Sequence, residues 1–71
     1  MTQHDRGRYI DLGETTSVAE LEPRMDVPAS RLIGAAFHEL GLLLTIYERL
    51  SFDQAKELVA HFGFVARRKG A

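Results

Sequence analysis

The sequence predicts a mainly α fold: a compact three-helix, helix-turn-helix-like domain with two or three short β-strands. Three observations carry this expectation. Apolar residues recur at spacings of three and four in three separate runs. Each run opens on a residue suited to a helix N-terminus and closes on a glycine or a short turn. At 71 residues the chain is below the usual domain size, so it forms one domain with a small core and no large internal pocket.

The elements follow in order. Residues 1–7, "MTQHDRG", are polar and are expected to be mobile, and "RYIDL" offers Tyr9, Ile10 and Leu12 for a short strand or docked segment before Gly13. Residues 1–13 are accordingly read as a flexible or loosely docked N-terminal segment, 14–66 as the domain, and 67–71 as a basic C-terminal tail. Thr16 or Ser17 caps a first helix carrying Val18, Leu21 and Met25, and Glu20 stands three residues after Ser17, where a capping box requires it. Pro23 falls inside this helix, removing a backbone hydrogen bond and crowding the preceding turn, so the helix should be short or bent.

Asp26-Val27 makes the turn, and Pro28 suits the first position of a second helix over about 28–40, where a missing N–H costs nothing. Leu32, Ile33, Ala36, Phe37 and Leu40 form its apolar stripe, and Gly41 is its stop. "LLLTI", residues 42–46, fits a buried strand better than a further helix, although periodicity alone leaves both open. Ser51 and Gln54 make a second capping box, opening a third helix with Phe52, Ala55, Leu58, Val59 and Phe62 on its inner face. Gly63 ends it, and "FVA" reads as a terminal strand able to pair with "LLLTI" or with residues 15–18.

Composition narrows the function. Apolar residues make up 45% and charged residues 27% of the chain, which is ordinary for a globular protein. There is no cysteine, hence no disulfide or thiolate metal site, and a reducing cytoplasm fits. The longest apolar stretch falls far short of the roughly 20 residues of a membrane span, and the N-terminus lacks a signal-peptide pattern. Net charge is −1, but residues 1–27 carry six acids against three bases, whereas Arg67, Arg68 and Lys69 are consecutive cations. That balance argues against a strong autonomous nucleic-acid binder and leaves one basic contact patch near the C-terminus.

No catalytic constellation emerges. His4, His38 and His61 stand beside no recognised nucleophile motif, and His38 and His61 fall on outward positions of their helices, which suits solvated or capping histidines. The glycines form no phosphate-cradling loop and the acids show no calcium-loop spacing. The expectation is a non-enzymatic protein without metal or cofactor.

A helix-turn-helix shape invites a DNA-reading hypothesis. The outer face of the second helix presents Ser30, Arg31, Gly34, Ala35, His38 and Glu39, whereas a major-groove reader presents several Arg, Lys, Asn or Gln side chains. A packing unit with helix-turn-helix shape fits better. The same bare strip of Arg31, Gly34, Ala35 and His38 would let a partner's backbone approach closely, unless Gly34 is a tolerated glycine costing about 1 kcal/mol of helix stability. Tyr47 and Arg49 stand where an exposed loop would present them, or where the tyrosine ring simply packs a turn.

The pieces "SVAEL", "DVPASRLIGAAFHELGLLLTI" and "LSFDQAKELVAHFGF", in this order, resemble the small N-terminal module of bacterial translation initiation factor two. The resemblance covers about 50 of the 71 residues, and its more distinctive part is the pairing of "ELGLLLTI" with "LSFDQA" and "VAHFGF". It implies a compact helical accessory module with short strands that helps a factor engage the ribosome. Pro23 departs from the pattern, and nothing corresponding to a GTPase or an initiator-tRNA-binding domain is present in these 71 residues, so GTP hydrolysis does not carry over. A free-standing relative and a fragment both remain open.

The leading expectation is therefore a non-catalytic, cytoplasmic translation-related module binding ribosomal RNA, the ribosome or an associated protein. Its expected contacts are Arg31, His38, Tyr47, Arg49, Arg67, Arg68 and Lys69. A small helix-turn-helix DNA-binding regulator is the alternative, and a protein-only interaction or dimerisation domain a third. Phe37 and Leu40 are expected in the core, where truncation costs about 2–5 kcal/mol.

Overall fold

The computed structural model describes residues 8–70. The expectations for residues 1–7 and His4 lie outside them. Seven elements succeed one another: β1 (Tyr9–Leu12), β2 (Thr15–Ser17), α1 (Val18–Met25), α2 (Ala29–Leu40), β3 (Arg49–Ser51), α3 (Phe52–Ala60) and β4 (Val65–Arg68).

The fold class is mixed α/β rather than mainly α. Four strands form two small sheets beside the three helices. β1 pairs with β4 in parallel, Tyr9 opposite Val65 through Leu12 opposite Arg68, and the Lys69 N–H donates to the Leu12 carbonyl at 2.8 Å just beyond. β2 pairs antiparallel with β3, Thr15 opposite Ser51 and Ser17 opposite Arg49. Strands of three and four residues are too short for a period-two pattern to register in sequence, which is why composition and spacing point to the helices first.

Local chemistry explains the helices. At α1 the Glu20 N–H donates to Ser17 Oγ and the Ser17 N–H donates to Glu20 Oε1, each at 3.3 Å, which satisfies two orphan donors reciprocally. Pro23 is the sixth of eight helical residues, and the helix ends two residues later with Asp26 at φ 59°. Pro28 precedes α2 rather than opening it, and Glu22 Oε2 accepts from the Ala29 N–H at 3.2 Å. Gly41, at φ 69°, stops α2 as expected. Ser51 and Gln54 form the second capping box. α3 closes through a Schellman arrangement in which the Phe64 N–H reaches the Val59 carbonyl and the Gly63 N–H the Ala60 carbonyl, with Gly63 at φ 87°.

Three placements differ from the sequence reading. "LLLTI" forms no strand. Its burial alternates as a strand's would, with Leu42, Leu44 and Ile46 half-buried and Leu43 and Thr45 exposed. Its far end is taken by other partners: the Ile46 carbonyl accepts from the Ala19 N–H at 2.9 Å, and the Thr45 N–H donates to Glu48 Oε1 at 3.0 Å. The C-terminal strand pairs with neither expected partner but with β1. Phe37 is 52% exposed. It lies five residues after buried Leu32, about 140° around the helix, whereas Ala36 and half-buried Ile33 and Leu40 face inward.

One core is built by β1, β3 and the three helices, with Ala66 of β4 partly buried against it. Leu12, Val18, Leu21, Leu32, Leu50, Leu58 and Val59 are fully buried, with Ile10, Met25, Ala36 and Ala55 completing the cluster.

Candidate functional site

The seven residues expected to meet a partner occupy three regions. Arg31 and His38 lie on the outer side of α2, in its first and last turns. Arg31 is exposed, with its guanidinium carbon 5.7 Å from the centre of the Phe62 ring. His38 is exposed and meets Phe37 edge to face, ring centres 5.4 Å apart. Neither makes an ion pair among the described residues. Gly34, between them, has no heavy atom within 4 Å of where a Cβ would sit, so packing does not require glycine there.

The second region surrounds Arg49, the first residue of β3. Its Nη1–H donates to Glu20 Oε2 at 2.8 Å, and its Nε and Nη2 groups donate to Thr15 Oγ1 at 3.2 and 3.1 Å. Nη2 also reaches the Thr15 carbonyl at 3.0 Å. The hydrogen bond from Arg49, and then the one from the Ser17 N–H, hold the Glu20 carboxyl below its ordinary value. Tyr47, two residues earlier, lies in a turn and is 75% exposed.

The third region is the β1–β4 edge. Arg67 and Arg68, grouped with the tail in the sequence reading, are the last residues of β4. The Arg67 Nε–H donates to Asp11 Oδ1 at 3.1 Å with its guanidinium 4.7 Å above the Tyr9 ring. Arg68 donates to Glu14 Oε2 at 3.2 Å and lies 4.0 Å above the Phe52 ring. Adjacent strand residues point to opposite faces, so these two arginines clamp different acids. Lys69 follows and, with Asp11, Thr15, Glu20 and Arg24, lines a shallow groove. Two of the three consecutive cations, Arg67 and Arg68, thus meet acids, Asp11 and Glu14, rather than forming a bare positive patch.

The sequence reading missed two exposed apolar side chains, Phe37 and Leu43, the latter 82% exposed. The odd position of Leu43 in an alternating "LLLTI" was the one available signal. His61 Nε2 sits 3.2 Å from Glu39 Oε2, joining α3 to α2 on the exposed side. Among the described residues no group of three or more metal-ligating side chains assembles, and no helix is long and apolar enough to cross a membrane.

The fold and these surfaces define a small mixed α/β domain closed by a parallel strand pair, with an arginine–carboxylate edge at one end and a sparsely covered helix face. The chain is related to translation initiation factor IF-2, of which it matches a small segment. It is 40% identical over 57 residues to the factor from Geotalea daltonii, 33% over 60 residues to that from Treponema pallidum and 36% over 66 residues to that from Blochmanniella floridana. These alignments take in 80%, 84% and 90% of this chain but only 6–7% of the relatives' length. No family model matches the chain.

Proposed function

We propose that the chain is a non-catalytic binding module of the translation apparatus that contacts the ribosome in the cytoplasm and uses no cofactor. The observation that carries this reading is similarity to IF-2 over 80–90% of the chain, reaching across all three helices rather than one motif. The contacts proposed are Arg31 and His38 on α2, Tyr47 and Arg49 around the β3 turn, and Arg67, Arg68 and Lys69 on the β4 edge. Arg31, His38, Tyr47 and Lys69 are exposed and without a carboxylate partner among the described residues, so they are the more available of the seven.

The test is co-sedimentation of the purified chain with small ribosomal subunits at low and moderate salt. Saturable binding that weakens when Arg31, His38 and Tyr47 are replaced together by alanine is the expected result. Absence of binding by the folded chain would overturn the ribosome reading.

A further inference from the structure

We infer that the outer side of α2, together with the Gly41 turn, is a docking surface for a protein that presents an apolar patch flanked by a carboxylate. This rests on the translation-module reading and names the class of partner.

Three of the most exposed large apolar side chains, Phe37, Leu43 and Tyr47, fall in the segment from the last turns of α2 to the start of β3. Phe37 and Leu43 bracket Gly41, where the Gly41 N–H reaches the Phe37 carbonyl and the Leu42 N–H the Ala36 carbonyl, folding the chain back over the helix end. One turn before Phe37, Gly34 leaves open space beside it. A protruding aromatic next to a bare notch suits an approaching apolar side chain. The ionic groups on this face are Arg31 and Glu39; Glu39 Oε2 lies 3.2 Å from His61 Nε2, whereas Arg31 has no carboxylate partner among the described residues, so the unmet charge is a cation and the complementary group is an acid.

Phosphate is the weaker fit. Arg49, Arg67 and Arg68 each spend their guanidinium on Glu20, Asp11 or Glu14, and a nucleic-acid backbone would have to displace those carboxylates.

The experiment replaces Phe37 with the photo-crosslinking residue benzoylphenylalanine and irradiates the chain bound to small ribosomal subunits. Alongside, Phe37→Ser/Leu43→Ser and Arg67→Gln/Arg68→Gln/Lys69→Gln variants, checked for cooperative unfolding, are titrated at two salt concentrations. The expected results are a protease-sensitive, ribonuclease-resistant adduct, a loss of affinity of at least about tenfold in the serine variant, and little effect of the glutamine set. A ribonuclease-sensitive adduct, or unchanged affinity in the serine variant with steep salt dependence and loss in the glutamine set, overturns the protein-docking inference while leaving ribosome binding in place. If the wild-type chain fails to bind, the ribosome reading falls and this inference with it. The crosslink reports on a near-native side chain, so it decides the matter even if the serine variant unfolds.

Discussion

Arg49 and Glu20 are 29 residues apart in sequence and 2.8 Å apart in space, and they join the β2–β3 ribbon to the first turn of α1. Glu20 serves two partners at once, since one oxygen accepts from Arg49 and the other from the Ser17 N–H of its own capping box. Both partners favour the ionised carboxylate, so its proton affinity is lower folded than unfolded. A depressed folded value contributes stability that is fully present above the unfolded carboxylate range, near 4.5, and is lost as pH falls through the folded value. Both side chains are about half exposed, 50% and 51%, so solvent screening keeps the ion-pair contribution below about 1 kcal/mol. Glu20→Gln preserves the capping geometry but not the charge. It should lower stability slightly at neutral pH and converge with wild type in acid, measured by urea unfolding between pH 7 and 3. An unchanged difference at both ends would show that the charge plays no part.

Gly34 makes a prediction of opposite sign. A Cβ at this position meets nothing within 4 Å, and glycine in a helix interior is less favourable than alanine by about 1 kcal/mol. Gly34→Ala should therefore stabilise the domain by roughly that amount, raising Tm by about 4–8 °C for a domain of this size. Differential scanning calorimetry checks it. Destabilisation would mean that the helix needs glycine for a reason other than space.

Phe37 separates the helical pattern from the packing it produces. As a side chain 52% exposed, it should lose less than about 1.5 kcal/mol on truncation to alanine, because little apolar area is returned to water. Leu32→Ala or Leu58→Ala, each at a fully buried site, should cost about 2–5 kcal/mol. Equilibrium urea unfolding of the three variants ranks them directly, and a Phe37 cost equal to the leucines' would contradict the exposed placement.

These cases show what was legible and why. Both capping boxes, the glycine stops at Gly41 and Gly63 and most of the buried leucines were readable, because each depends on residues within one turn of one another. What failed depends on distant pairings. The partner of β4 lies 56 residues away in sequence, and "LLLTI" has the composition of a strand while its carbonyl at Ile46 is taken by the start of α1. On the candidate site, the types of exposed residue were foreseeable. The carboxylates that occupy Arg49, Arg67 and Arg68 were not, since each lies more than 25 residues upstream.

The β1–β4 pair yields the last prediction, and it turns on the same long-range closure. All three helices lie in sequence between these two parallel strands, so β4 returns the end of the described chain to its beginning. Ile10 and Leu12 of β1 are buried, only 5% and 0% exposed, opposite Ala66 and Arg68. Deleting residues 65–71 would strip the backbone partner from β1, remove the Arg67–Asp11 and Arg68–Glu14 pairs and expose two core side chains. Fully burying a side chain of this size contributes about 1.5–3 kcal/mol, and a domain this small has only a few kcal/mol in reserve. The deletion should therefore abolish the cooperative unfolding transition, seen as loss of a sigmoidal urea curve by circular dichroism. Removing only Gly70 and Ala71 leaves the ladder and the Lys69 N–H to Leu12 bond intact and should shift the midpoint little. If the longer deletion unfolds as cooperatively as the intact chain, residues 65–68 behave as an appended tail and the strand pair is not what closes the fold.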